Sequence, residues 1–310
     1  MLPALCQCAS CAPSARPFFK GCVMKIIDLI KSPKPTLSFE VFPPKTSQNF
    51  ESVRTAVEEI AALGPAFMSV TYGAGGGTSD FTADIAADIQ DKFGVPALAH
   101  MTCVSSSREK VHAVTETLKA KGITNVLALR GDLPQGFDLA SADYRYASEL
   151  IAEIRERGDF CIGGACYPEA HPESEDSMAD LRHLKEKADQ GCEFFTTQMF
   201  FDNSILYNFI YRARAAGITV PIVAGIMPVT NAAQIKRIMA MSGSALPQRF
   251  VRIVDRYGSD PEAMMQAGIA YATAQIIDLF ANGVPAVHVY SMNKPEIARR
   301  IMENVSHIIR

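Results

Sequence analysis

The run Asn125-Val-Leu-Ala-Leu-Arg-Gly-Asp-Leu-Pro134 begins apolar and ends in an arginine, a glycine and a carboxylate. A buried strand leaving the core there would set Arg130 and Asp132 at its exit, and Gly131 would let the backbone turn or approach a ligand closely. A salt-bridged strand exit explains the same residues equally well. The pattern recurs, however: Glu40 in Ser38-Phe-Glu-Val-Phe-Pro-Pro44, Thr71 and Tyr72, His100, then Tyr167, Glu169 and His171 in Tyr-Pro-Glu-Ala-His-Pro-Glu173, Gln198 and Tyr290 all sit at or near the ends of apolar runs. Glu40 lies between Phe39 and Val41, where desolvation raises a carboxyl pKa toward the range of a general acid. Its structural alternative is pairing with a lysine or arginine, and His100 has one too, as a core histidine bonded to a backbone carbonyl.

Other segments suit ligands. Gly73-Ala-Gly-Gly-Gly-Thr-Ser79 can present several N–H groups before a helix capped near Asp80, which fits phosphate or pyrophosphate as well as a plain flexible loop. Phe194-Phe-Thr-Thr-Gln-Met-Phe-Phe201 offers an amide among aromatics, a setting for a planar heterocycle. Asp180 and Lys187 fall on a helix where a solvated charged face is the ordinary reading. His100, His171 and His288 share no short ligand spacing, so no metal is expected.

What must position these residues is a repeating unit. Strand-like runs at Thr36 to Phe42, Phe67 to Tyr72, Ala97 to Cys103, Asn125 to Arg130, Phe160 to Cys166, Glu193 to Met199, Ile222 to Met227 and Ala286 to Tyr290 alternate with helical patterns. Phe50 to Ile60 and Val111 to Leu118 repeat apolar residues three or four apart. Ser107 and Asp80 read as helix caps, and Gly122-Ile123 and Gly217-Ile218 as helix stops. Eight such units predict an α/β fold, a (β/α)8 TIM barrel with extra helices between strands seven and eight, in the gap from Asn231 to Pro285. An open doubly wound sheet is the alternative, but no Gly-x-Gly-x-x-Gly turn or P-loop supports it.

The chain has 310 residues, 48% hydrophobic and 20% charged, with a formal charge of −3. That is enough to bury a large core, and scattered basic residues leave no footprint for nucleic acid or an anionic membrane. No apolar segment reaches the roughly 18 residues of a membrane span. Of eight cysteines, Cys103, Cys161, Cys166 and Cys192 read as small hydrophobes of a reducing cytoplasm. The others, Cys6, Cys8, Cys11 and Cys22, lie in residues 1–23, expected to be a disordered extension, with residues 24–310 forming a single catalytic barrel.

Taken in order, eight segments resemble methylenetetrahydrofolate reductase of the short bacterial type, from Met24 to the C-terminus: Ser38-Phe-Glu-Val-Phe-Pro-Pro44, Val70-Thr-Tyr-Gly-Ala74, His100-Met-Thr-Cys103, Leu129-Arg-Gly-Asp-Leu-Pro134, Tyr167-Pro-Glu-Ala-His-Pro-Glu173, Thr197-Gln-Met-Phe-Phe-Asp202, Gly225-Ile-Met-Pro228 and His288-Val-Tyr-Ser-Met-Asn293. The resemblance implies a barrel that carries FAD and reduces 5,10-methylenetetrahydrofolate to 5-methyltetrahydrofolate. It implies flavin contacts at Tyr72, Ala74, His100, Arg130, Gly131, Asp132, Ala147, Tyr167, His171, Asp180 and Lys187. Thr71 and Gln198 would meet the nicotinamide of NADH or NADPH, and Asp132, Gln198 and Gln234 the folate, with Lys294 standing where the family has a substrate-facing arginine. A ping-pong sequence follows, in which Glu40 protonates the folate nitrogen whose departure opens the five-membered ring, and Asp132 binds the pterin and tunes the flavin.

Two other readings are compatible with the residues: a non-redox barrel lyase or aldolase using Glu40 as base, and a folate-binding subunit whose N-terminal cysteines meet an electron-transfer partner. A cytoplasmic homo-oligomer serving methionine biosynthesis is the expectation that accompanies the first.

Overall fold

The computed structural model describes residues 24–44, 50–72, 79–104, 106–133, 136–139, 142–235, 238–239 and 245–309. The Cys-rich extension, the glycine loop and Ala74 lie outside the described residues. Eight parallel strands close into a barrel in sequence order: β1 (Thr36–Val41), β2 (Met68–Val70), β3 (Ala97–Thr102), β4 (Asn125–Leu129), β5 (Cys161–Cys166), β6 (Phe194–Thr197), β7 (Ile222–Ile226) and β8 (Ala286–Tyr290). Their sequences are nearly continuous apolar runs because one face meets helices and the other the barrel interior. The outer layer comprises α2 (Phe50–Ala61), α3 (Ser79–Phe93), α4 (Arg108–Ala120), α5 (Ala147–Arg157), α6 (Ser177–Asp189) and α7 (Asn203–Ala215), then α8 (Gln248–Tyr257) and α9 (Pro261–Ala281) between β7 and β8, and finally α10 (Pro295–Val305).

The expected strands are all present, with ends trimmed most at β2, which forms three residues where six were expected, and at β6, which forms four where seven were expected. Ser107 accepts from the Lys110 N–H and caps α4 as expected. Gly122 and Gly217 stop their helices at φ +68° and +77°. The Asp80 cap is corrected: α3 starts at Ser79, so Asp80 lies inside the helix. Among the described residues no helix is long and apolar enough to cross a membrane.

A short helix, α1 (Ile26–Ile30), closes the barrel floor, an element the sequence did not single out. Ile26, Ile27 and Ile30 bury against Phe67, Leu98, Leu127, Phe194 and Val223, each burial stabilising by about 1.5–3 kcal/mol. Asn125, fully buried at the start of β4, accepts from the Ile26 N–H at 2.9 Å and donates to the carbonyls of Met24 and Ala97. Such a buried amide is tolerable only because both ends are bonded, so it fixes where the plug sits. On β5, Gly163 leaves room for the ring of Phe194, which a Cβ would meet at 2.5 Å.

With the floor plugged, the open end of the barrel lies at the C-terminal ends of the strands, where polar side chains are free to face solvent or a ligand.

Candidate functional site

Glu40 sits one residue before the end of β1, with its side chain about one-fifth exposed. Its strand exit is held by the turn after β8. The Ser291 hydroxyl donates to the Glu40 carbonyl at 2.6 Å, and the Asn293 side chain accepts from the Phe42 N–H at 3.0 Å and donates to the Phe42 carbonyl at 2.9 Å. Met292 and Asn293 adopt positive φ, 54° and 52°, to bring that amide into place. The asparagine thus continues the β8–β1 ladder beyond its last backbone pair.

Of the charged groups around it, Glu40 meets His100 on β3: Oε2 lies 3.7 Å from Nε2. Burial alone pushes the Glu40 carboxyl up from 4.5 to about 8 and His100 down from 6.5 to about 3. At neutral pH the pair is therefore an uncharged carboxylic acid beside an uncharged imidazole. The expected alternative, a glutamate neutralised by lysine or arginine, is not found among the described residues. Among the described residues the Nε2 of His100 is buried and has no hydrogen-bond partner, which leaves it available to a ligand at the barrel mouth.

Beneath this pair is a polar layer. His288 on β8 shares hydrogen bonds with Ser38 of β1 at 2.7 Å and Ser69 of β2 at 2.9 Å, and stacks on Phe67 at 5.5 Å between centroids. Ser38 also donates to the Val287 carbonyl, which leaves His288 Nδ1 to donate to Ser38 and Nε2 to accept from Ser69. Burial holds this imidazole neutral too, down to about 3. Tyr290, the register partner of Glu40, donates its hydroxyl to the Thr197 carbonyl at 2.5 Å and so ties β8 to β6.

The remaining candidates fall into two arcs. One follows β2 to β5 and α6. Thr71 and Tyr72 are half-buried beyond β2, with the Lys110 ammonium 5.9 Å above the Tyr72 ring. Gly131 has φ +88°, and a Cβ there would meet Val104 at 2.9 Å, so a side chain is excluded twice. Tyr167 and His171 meet edge to face at 4.6 Å. Ser174 donates to Asp180 at 3.3 Å, and Lys187 donates to the Ala165 carbonyl at 2.5 Å. Burial lowers the Lys187 pKa, so the solvated-face reading of this lysine is corrected: it reaches inward from α6 to the strand. Ala147 opens α5, half-buried, and Asp132 is exposed just past β4.

The second arc continues from β6 to β8. Gln198 follows β6, its N–H donating to the Cys166 carbonyl at 2.7 Å. Gln234 lies exposed in a single 3-10 turn after β7, and Lys294 after β8 donates to Thr230 at 3.4 Å. Glu169, another sequence candidate, is turned to the Ala245 N–H instead. The residues that sequence reasoning passed over are Ser38, Ser69, Ser291 and Asn293. Their signal was thin, because a serine at a strand position is recognisable only once the cross-strand partner is known.

The Glu40 and His100 shifts have opposite consequences for stability. A raised acid pKa means that stability is complete below the ordinary value of 4.5 and declines as pH rises to about 8. A lowered histidine pKa means that stability declines as pH falls from 6.5 toward 3. Glu40→Gln is thus expected to raise the melting temperature at pH 8 by about 4 °C, corresponding to ~2 kcal/mol after allowing for the carboxyl's partial contact with water, and to leave it unchanged at pH 4.5. Equal shifts at both pH values in a thermal melt would contradict a buried, desolvated acid.

A family model for methylenetetrahydrofolate reductase matches residues 25–306. The 5,10-methylenetetrahydrofolate reductase of Pectobacterium carotovorum is 37% identical over 86% of this chain and 88% of its own length, and that of Escherichia coli is 36% identical over the same shares. The Arabidopsis thaliana methylenetetrahydrofolate reductase (NADH) 1 is 35% identical over 92% of this chain but only 51% of its own. Among solved structures, a Clostridium thermocellum protein that binds two copies of 5-methyl-5,6,7,8-tetrahydrofolic acid superposes with a TM-score of 0.61 at 16% identity, over 92% of this chain and 99% of that one, a likeness of fold. With nearly the whole folded region matched, and with bacterial relatives of similar extent, the chain belongs to the methylenetetrahydrofolate reductase family.

Proposed function

We propose that this chain reduces 5,10-methylenetetrahydrofolate to 5-methyltetrahydrofolate, with NADH or NADPH as donor and FAD bound at the barrel mouth. The observation that carries the reading is Glu40, a carboxyl kept protonated at neutral pH and facing the open end of the barrel beside an orphaned imidazole nitrogen.

The chain's residues fit a flavin nucleotide. His100 Nε2 lacks a partner, Gly131 allows a close backbone approach, and Arg130 and Lys187 supply positive charge along one arc. We assign Tyr72, Ala74, His100, Arg130, Gly131, Asp132, Ala147, Tyr167, His171, Asp180 and Lys187 to that cofactor. When bound, FAD supplies a two-electron carrier between nicotinamide and folate. Thr71 and Gln198 would orient the nicotinamide, and Asp132, Gln198, Gln234 and Lys294 the folate. Asp132, a carboxylate, suits the amino and N–H groups of a pterin.

Glu40 then holds the proton that the reaction consumes. Opening the imidazolidine ring expels an amine nitrogen that is a poor leaving group until protonated, and the acid delivers its proton to that nitrogen, leaving an iminium carbon as hydride acceptor. Hydride addition turns that carbon, still bonded to the other ring nitrogen, into the methyl group of the product. His100, held neutral, adds no positive charge that would drag the acid's pKa back down. A cytoplasmic, homo-oligomeric enzyme feeding methionine synthesis is the setting we infer.

The test is direct. Purified protein, supplemented with FAD, is expected to show a flavin visible spectrum that bleaches with NADH or NADPH and recovers on adding methylenetetrahydrofolate. Folate turnover in the complete absence of flavin would overturn the reading in favour of a non-redox barrel.

A further inference from the structure

We propose that Glu173 is a positioning residue of the cofactor site, fixing Arg130 and His171 in the orientation that receives the flavin nucleotide. The inference rests on the function proposed above.

Glu173 lies on the β5–α6 loop and is not among the contacts that the family resemblance implies. Its two carboxylate oxygens accept from Arg130 Nη1 at 2.6 Å and Nη2 at 2.8 Å, a forked pair that sets the plane of the guanidinium as well as its place. The third nitrogen, Nε, donates to the Gly131 carbonyl at 3.3 Å. Arg130 is thereby held from both ends, while its side chain is only about one-fifth exposed. The same residue reaches His171 through its backbone: the Glu173 N–H donates to His171 Nδ1 at 3.1 Å. An accepting Nδ1 requires that the neutral ring carry its proton on Nε2, so the bond selects a tautomer as well as an orientation. The Tyr167 ring packs edge to face against that imidazole. Ala170, at φ +73°, gives the loop the reversal that brings His171 and Glu173 back toward β4.

One short loop therefore aligns two side chains from two strand exits, and Glu173 is the residue common to both. The carboxylate itself is more than half exposed, so the pair contributes little to folding stability. Its value lies in order: a guanidinium free to rotate would lose rotamer entropy on each binding event, and the fork removes that loss beforehand. An opposing role is also chemically conceivable, in which Glu173 occupies the fork as a placeholder that an incoming phosphate must evict. The two roles predict opposite signs.

The test is the FAD dissociation constant of the apoprotein, read by quenching of flavin fluorescence. Glu173→Gln keeps the size of the side chain but faces the second guanidinium N–H with an amide donor. It is expected to weaken FAD binding about tenfold or more, with the apoprotein melting temperature within about 2 °C of the parent. Glu173→Asp, which restores the carboxylate on a shorter arm, is expected to recover part of the loss. In an Arg130→Gln background, Glu173→Gln is expected to change the dissociation constant by less than twofold. An unchanged or tighter dissociation constant overturns the inference, as does a loss that appears equally with Arg130 absent or that follows a fall in apoprotein stability. If the parent itself binds no FAD, the proposed function falls together with the inference. If the parent binds and Glu173→Gln binds equally well, only the inference falls.

Discussion

Glu40→Gln is expected to leave the FAD-loaded protein reducible by NADH while slowing its reoxidation by methylenetetrahydrofolate about 10²- to 10⁴-fold, the usual range for loss of a general acid. The separation arises because only one half-reaction needs a proton delivered to a leaving nitrogen. Glutamine matches glutamate in shape and keeps an acceptor oxygen near His100, so the contact at 3.7 Å need not be disturbed. In the parent, the folate half-reaction should decline as pH rises through about 8, the value to which burial pushes this carboxyl, because the protonated form is the reactive one. NADH-driven bleaching should not share that limb. Stopped-flow traces of the two half-reactions across pH 6–10 decide the matter. Parallel losses in both, or folate reoxidation at the parent rate, would remove the proton role from Glu40.

Much of this arrangement was legible in the chain because a closed barrel imposes simple rules. Strand-length apolar runs alternating with amphipathic stretches specify the order of elements, and parallel closure then gathers the residues at the strand ends on one rim. Glu40, His100 and Tyr290 could therefore be grouped without coordinates. The pattern was silent where contacts depend on register. Ser38 and Ser69 look like ordinary small residues until β1, β2 and β8 place them on either side of His288. Asn293 resembles a loop residue until its amide is seen to bond both backbone groups of Phe42. Lys187 was read as solvated because a helix pattern reveals its apolar stripe but not the direction of a long side chain at the stripe's edge; the lysine instead reaches the Ala165 carbonyl. Helix α1 was missed for another reason. Five residues are too few to show a period, and the helix exists because the floor of the barrel needs a plug.

The glycine at the rim of β7 shows how tightly that register is set, and its replacement carries the largest structural effect expected here. Gly225 donates its N–H to the Thr197 hydroxyl at 2.9 Å, and a Cβ at this position would fall 2.3 Å from the Thr197 carbonyl oxygen and 2.4 Å from the Tyr290 hydroxyl. The Tyr290 ring could swing aside, but the carbonyl belongs to the neighbouring strand and cannot move without the barrel wall. Gly225→Ala should therefore cost about 3 kcal/mol or more, from overpacking together with the loss of the part-buried Tyr290–Thr197 hydrogen bond, and lower the melting temperature by roughly 6 °C. Because Tyr290 is the register partner of Glu40, the strain reaches the acid, and the folate half-reaction should fall more than reduction by NADH. Adding Tyr290→Phe removes the hydroxyl clash and leaves those with the Thr197 carbonyl oxygen and with the ring carbon Cε2 at 2.9 Å, so the double variant should regain part of the lost stability but not all of it. A Gly225→Ala protein that melts with the parent would mean that β6 and β8 yield at the rim, and the tight clasp described between them would have to be abandoned.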